Sequence, residues 1–425
     1  MFDFAKRKIC ANQLTNIMKG IAALAPTLLL TLILTSCMSD GYTDTAAGKS
    51  DTYINLNVST PTAQARANAP ANTAGTSGTL GQDETSPNPT EEEKIYSIRV
   101  WAFKSGTNEN AMPIGFKAET GLNETGSHQV SMKLLRKAAG DLENIDLFIL
   151  LNAESIDVLN VSNCNTMTRK DLKAATFDSN FGIKPDGSPQ ATEVSEKGLP
   201  ISRVITDINV KDNIADNAAE AAANPVSVPL VRAVSKLHFF FARKTGKDTE
   251  SVTVTKIEVD GKTLTAASPV FPQAATDAEK DTKGLTGSFN GLNYLTKNLT
   301  FGAIATNKIK PVANPEVYIR NNGEKAQDYM TRLSTEVQEG CRSYLRETDK
   351  TITGKIYFKS NEAVAVRSVV FEIPEAYRNH ELVVYGYFSG EALLDNFKLQ
   401  YYVANWNEKG ATNIELPQFG IRNSA

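Results

Sequence analysis

The sequence predicts an all-β protein: two β-sandwich domains with minor helical insertions. Short runs alternate apolar and polar residues with period two, helical readings are few, and residues that favour turns separate the runs. With 425 residues, 41% of them hydrophobic, the chain has the length and the apolar content for two cores.

Taken in order, the first element is an export signal. Lys6, Arg7, Lys8 and Lys19 precede the mostly apolar run 21–34, IAALAPTLLLTLIL, the order of a secretory signal. The run is short for a bilayer-crossing helix, which takes about 20 apolar residues, and no basic stop-transfer cluster follows it. Leu34-Thr35-Ser36-Cys37 resembles the bacterial lipobox. That resemblance implies cleavage between Ser36 and Cys37 by a type II signal peptidase, a diacylglycerol group on the Cys37 thiol and acylation of the new amino terminus. Several acyl chains, at about 0.8 kcal/mol per buried CH₂, hold a soluble body on a membrane. The alternatives are an ordinary secretory signal that contains Cys37, or an N-terminal membrane anchor.

Residues 1–36 therefore read as signal and 37–51, MSDGYTDTAAGKSD after the cysteine, as a flexible polar tether. The N-terminal domain is expected over 52–245. It opens with a strand at 53–59, where Ile54, Leu56 and Val58 alternate with Asn55, Asn57 and Ser59. Residues 61–93 follow, a run of Ala, Thr, Pro, Gly, Asn and Ser almost without large apolar residues, expected as a flexible loop. Its one basic residue before Lys94 is Arg66. A cut there, between Arg66 and Ala67, separates the first strand from everything behind it. The runs 95–104 and 145–152 read as central strands. Thr168, with Asp171 three residues on, reads as the capped start of a short helix. Residues 226–243 read as one long strand bent near Pro229.

The C-terminal domain is expected over 246–425. A strand at 252–259 turns at Asp260-Gly261 into residues 262–264 as a hairpin. Further strands are expected at 355–359, 364–373, 382–388, 399–406 and 413–416. Residues 273–346 give no clear pattern.

Composition narrows the function. A formal charge of -3 argues against nucleic acid as a partner. His128, His238 and His380 are scattered, and with Cys10 leaving in the signal and Cys37 acylated, Cys164 and Cys341 remain without any CxxC spacing. They are expected as two separate thiols, and neither a metal site nor a cofactor is expected. No nucleophile elbow, HExxH pair, Walker loop or dinucleotide fingerprint occurs, so the expectation is a non-enzyme. Trp101 is expected in the core or on a sheet face, as is Trp406, and Arg232 and Lys236 on the solvated face of their strand.

The order of these pieces resembles the Bacteroidales fimbrillin family, lipoprotein-derived subunits of protease-assembled fimbriae. The resemblance rests on the lipobox at Cys37, the early strand before an Arg-bearing loop, and Ile98-Arg99-Val100-Trp101-Ala102-Phe103. It rests further on the strand 147–152 ending in Asn152, on Gly198-Leu199-Pro200-Ile201-Ser202, on Leu230-Val231-Arg232-Ala233-Val234-Ser235-Lys236-Leu237, and on Tyr401-Tyr402-Val403-Ala404-Asn405-Trp406. The resemblance implies transthyretin-like sandwiches and a cell-surface location on the outer membrane. It also implies assembly in which an arginine-specific protease removes the first strand and a neighbouring subunit's strand fills the groove. Ile54, Leu56 and Val58 are then the displaced side chains and Arg66 the cleavage residue. Ile414, Leu416, Phe419 and Ile421 are the candidate donor side chains. Only nine residues follow Leu416 and Pro417 interrupts the alternation, which suits a tip subunit better than a stalk subunit. An uncleaved anchor, and a monomeric surface lipoprotein that binds glycan or protein at a host or bacterial surface, are the alternatives.

Overall fold

The computed structural model describes residues 52–60, 92–134, 144–177, 197–209, 218–223, 225–245, 252–271, 293–302, 309–321, 324, 326–360, 366–389 and 397–405. The lipobox, Arg66, Ala67, Trp406 and the candidate donor residues Ile414, Leu416, Phe419 and Ile421 lie outside them.

The chain is mainly β. Its elements are β1 (Thr52–Ser59), β2 (Lys94–Lys104), β3 (Gly115–Thr125), β4 (Ser127–Leu134), β5 (Asn144–Leu151), α1 (Arg169–Ala174), β6 (Thr176–Phe177) and β7 (Ile201–Asn209). Next come α2 (Ala218–Ala223), β8 (Val226–Pro229), β9 (Val231–Arg232), β10 (Ser235–Lys244), β11 (Val252–Val259), β12 (Ser268–Pro269), β13 (Leu299–Phe301) and β14 (Pro311–Val312). The last are α3 (Ala326–Glu336), β15 (Gln338–Leu345), β16 (Ile352–Ser360), β17 (Arg367–Ile373), β18 (His380–Phe388) and β19 (Phe397–Asn405). One sheet runs β4-β1-β8 and a second β3-β2-β5-β7-β9. A third runs β14-β10-β18-β19, with β15 also on β10, a fourth β13-β11-β16-β17, and β6 pairs β12.

Alternation decides which face each strand buries. In the first core, Ile54, Leu56 and Val58 of β1 join Val130 and Met132 of β4, Val100 of β2, Leu147 and Ile149 of β5, and Phe271. Trp101 is fully buried there, its Nε1 donating to the Cys164 carbonyl at 2.7 Å, with Phe271 edge-on at 6.1 Å. A second core gathers Leu237, Phe239 and Phe241 of β10 with Ile257, Ile356, Phe371, Leu382 and Phe397. On the opposite face of β10, Phe240 and Ala242 meet Tyr329 and Leu333 of α3. This strand is apolar on both faces because both are covered, which is why SKLHFFFAR reads as a nearly continuous run.

Several expectations need correction. The long strand expected over 226–243 is three strands in three sheets: β8 pairs β1, β9 pairs β7, and β10 pairs β14, β15 and β18. Pro229 lacks the N–H to continue a ladder, and two bends at Ala233 and Val234 carry the chain to the next sheet. Asp260-Gly261 is not a hairpin turn but the start of a 3₁₀ turn over Gly261–Thr263, with Asp260 accepting from the Lys262 N–H. Gly261 is required there, since a Cβ would lie 2.1 Å from the Lys297 carbonyl oxygen. The loop expected to run through residue 93 ends earlier, because Glu92 and Glu93 are buried. The capped helix forms as expected: Thr168 accepts from the Asp171 N–H, and the Asp171 carboxylate accepts from the Thr168 N–H. Cys164 and Cys341 are free thiols, not a disulfide.

Candidate functional site

Sequence reasoning points at the first strand, and the structure places it in the middle of a sheet. β1 runs antiparallel to β4, from Thr52 opposite Leu134 to Ser59 opposite Ser127, and parallel to β8, with Leu56 opposite Val226 and Val58 opposite Val228. Its exit is tied down: the Thr60 N–H donates to the Gly126 carbonyl at 2.8 Å, and the Leu230 N–H to the Ser59 carbonyl at 3.2 Å. Ile54, Leu56 and Val58 are each fully buried. Each such side chain contributes about 1.5–3 kcal/mol by leaving water.

β1 is the strand that joins β4 to β8. Without it, two ladders of backbone N–H and C=O groups stand open beside an apolar slot lined by Val130, Met132, Leu134 and Val228. What keeps β4 in place is then its own apolar face, the turn through Gly126 and one histidine. His128, the register partner of Val58, holds Glu124 through Nδ1 at 2.7 Å and Glu119 through Nε2 at 2.8 Å. Partial burial disfavours the imidazolium, but the two carboxylates outweigh it and raise the pKa above the ordinary histidine value.

Directly downstream of residues 61–91 in the sequence, Glu92 belongs to a buried ionic cluster. Lys236, 1% exposed, places its Nζ 3.0 Å from Glu92 Oε1 and 3.6 Å from Glu381 Oε1. The Tyr344 hydroxyl donates to Glu92 Oε1 at 2.7 Å. His238 joins Glu381 through Nδ1 at 3.0 Å and Glu339 through Nε2 at 2.9 Å. Burial alone pushes the Glu381 carboxyl up, but Lys236 and His238 pull it down to about 2. Burial likewise works against the charge on Lys236, and Glu381 and Glu92 more than restore it. Arg232, 1% exposed, is pulled below the usual guanidinium range by burial, against the fields of Glu92 and Glu93. The expectation that Arg232 and Lys236 line a solvated face is thus overturned. Both strands that carry them are covered on both faces, so each charge is met by buried carboxylates instead of water. The cluster joins Glu92, just ahead of β2, to β10, β15 and β18.

A second buried pair lies deeper. Arg378, fully buried, donates from Nη2 to Glu347 Oε2 at 2.8 Å and from Nε to the same oxygen at 3.1 Å. It also donates to the carbonyls of Pro269 at 2.9 Å and Val270 at 3.3 Å. Ser202 of β7 donates to that same Val270 carbonyl at 2.6 Å. Sequence reasoning missed Glu92, Glu347, Arg378 and Glu381. For Lys236 a signal was present, since a lysine inside a run apolar on both faces has to be paired. For the carboxylates none was, because their partners lie up to 252 residues away along the chain, as with Glu92 and Tyr344.

The described residues hold no group of three or more His, Cys, Asp or Glu side chains able to bind a metal ion.

No family model matches the chain, and no match is found among curated proteins. Solved structures do resemble it. One is a tip fimbrial protein from Porphyromonas gingivalis with a C-terminal truncation, at a TM-score of 0.45 and 12% identity, covering 84% of this chain and 100% of that one. Another is a fimbrial assembly protein from Parabacteroides distasonis, at 0.42 and 14%, covering 85% and 99%. A fimbrilin from Porphyromonas gingivalis scores 0.42 at 10% identity, covering 85% and 98%. The structural neighbours of this chain are fimbrial proteins and putative cell adhesion proteins.

Proposed function

We propose that the chain is a structural subunit of cell-surface fimbriae, exported as a lipoprotein acylated at Cys37 and assembled by strand exchange. The observation that carries this reading is the position of β1, paired on both edges between β4 and β8 with Ile54, Leu56 and Val58 fully buried, and continuous in sequence with the segment that contains Arg66. An arginine-specific protease cutting between Arg66 and Ala67 frees β1 to leave, and the buried cluster at Glu92 keeps the rest of the chain in place. A strand from a neighbouring subunit then fills the slot, satisfying both open ladders and covering the apolar lining. Insertion of one subunit into the next is a heterologous contact that does not close, so its product is a filament. Ile414, Leu416, Phe419 and Ile421 are the proposed donor side chains where this subunit also donates. The proposed location is the outer-membrane surface and the fimbrium, the proposed partners are other fimbrial subunits and a surface receptor, and the proposed chemistry on the chain is done by other proteins.

Amino-terminal sequencing of the protein recovered from surface filaments tests the reading. The expected terminus is Ala67. An intact, acylated Cys37 terminus in filaments assigns an anchor instead, and absence from filaments together with oligosaccharide binding overturns the fimbrial reading.

A further inference from the structure

β1 carries a buried polar flaw near its middle. Asn55 is 2% exposed, and its side-chain Oδ1 has no hydrogen-bond partner among the described residues. Directly across the ladder, the Ser131 Oγ is buried and equally unpartnered, and so is the Oγ1 of Thr52. Asn55 lies on the face of β1 turned away from Ile54 and Leu56, and α2 packs against β1 and β4. Asn152 shows what a buried asparagine does when it is built into the structure. Its Oδ1 accepts from the Tyr96 N–H at 2.8 Å, and its Nδ2 donates to the carbonyls of Leu199 at 2.7 Å and Lys94 at 2.9 Å. Asn57, on the same strand and face as Asn55, is only half-buried and carries no such orphan.

A buried position in an inner strand favours a β-branched or aromatic residue, so an asparagine whose buried oxygen has no partner weakens the strand that holds it. The location of the defect matters. The Asn55 oxygen belongs to β1 and leaves with it, whereas the Ser131 oxygen belongs to β4 and stays with the slot. Resting on the strand-exchange reading above, we infer that Asn55 makes the resident strand replaceable. The slot takes in preference an extended segment that repeats the apolar side chains at the Ile54, Leu56 and Val58 positions and is also apolar opposite Ser131. Asn55 is in this sense a specificity-determining residue: it sets which of two strands the slot prefers, without touching the protease site.

Hydrogen exchange on the intact chain, followed by mass spectrometry, tests the first half. Asn55→Val slows exchange over residues 52–60 by about tenfold, while Asn57→Val, which makes the same gain in strand propensity, changes it at most about twofold. Equal slowing by both variants, or none by Asn55→Val, overturns the inference. The second half uses the full chain after treatment with an arginine-specific protease, mixed with a labelled synthetic peptide of wild-type sequence 52–60. Asn55→Val retains its own strand against the peptide about tenfold better than wild type. Ser131→Ala relieves the orphan in the slot for resident and competitor alike, and so leaves their ratio at the wild-type value. An equal shift for Ser131→Ala, or none for Asn55→Val, overturns the assignment to Asn55. Failure of the nicked wild type to take up any peptide overturns the strand-exchange reading itself, while the exchange measurement on the intact chain still decides whether Asn55 weakens β1.

Discussion

Lys236 sits where water does not reach, between Glu92 and Glu381, with His238 on the far side of Glu381. Forming such a site is expensive, because each ion gives up its hydration, and the attraction between the charges roughly offsets that cost. Breaking it is a different matter. Lys236→Ala leaves two buried carboxylates without their cation, and the expected loss is about 3–5 kcal/mol, read as a lower midpoint in chemical denaturation with an unchanged slope. A loss below about 1 kcal/mol, the size of an exposed pair, contradicts the burial described here. The sequence alone led to the opposite reading of this residue. Lys236 falls four residues from Arg232 and beside Leu237, at a spacing that suits a charged face, and spacing does not reveal that α3 and the second core cover both sides of β10. Trp101 was readable for the converse reason: a large aromatic in an alternating strand has one economical place, and its indole N–H finds the Cys164 carbonyl there.

At the scale of elements, periodicity identified the strands with an apolar face and missed the rest. β1, β2, β5, β11, β16, β17, β18 and β19 stand within a few residues of their expected spans, since each carries a regular apolar set that a core takes up. β3 was invisible: its sequence GFKAETGLNET is half-buried or exposed along its whole length, and it is a strand because β2 supplies a partner ladder. β15, QEGCRSYL, is another such case, held by β10 and buried only at its last three residues. The helix α1 was legible from its capping box, whereas α3 announces itself only by Tyr329 and Leu333 one turn apart. Of the candidate site, the residues of β1 were legible and the buried charges were not, because alternation is a local property and ion pairing across sheets is not. The weight that β1 bears is testable directly. Leu56→Ala empties the middle of the slot and is expected to cost about 2–5 kcal/mol. The loss is to be measured by thermal or denaturant unfolding of the uncut chain, and a cost near zero means that β1 is not seated between β4 and β8 in solution.

Across the whole molecule, the proposed strand exchange requires a body that survives the loss of an inner strand. The two buried ionic sites answer at different depths. The Lys236 cluster ties Glu92, the first described residue after the segment that carries Arg66, to β10, β15 and β18, so a cut at Arg66 as proposed leaves that end of the body fastened. Arg378 ties the segment between β17 and β18 to Glu347, to the Pro269 and Val270 carbonyls, and through Val270 to Ser202 of β7 in the sheet that carries the first core. A guanidinium held by so many buried acceptors is a joint with one geometry, and it couples the first core to the second. Arg378→Met keeps the volume, removes every one of those donors and leaves Glu347 buried without its cation. Differential scanning calorimetry of the wild type is expected to show one cooperative transition, and that of Arg378→Met two, the lower one belonging to the core that contains β1. If the variant still unfolds in a single transition at the wild-type temperature, the cores are coupled by their apolar contacts alone. If it shows two, this joint is what makes the two cores of the wild type unfold as one.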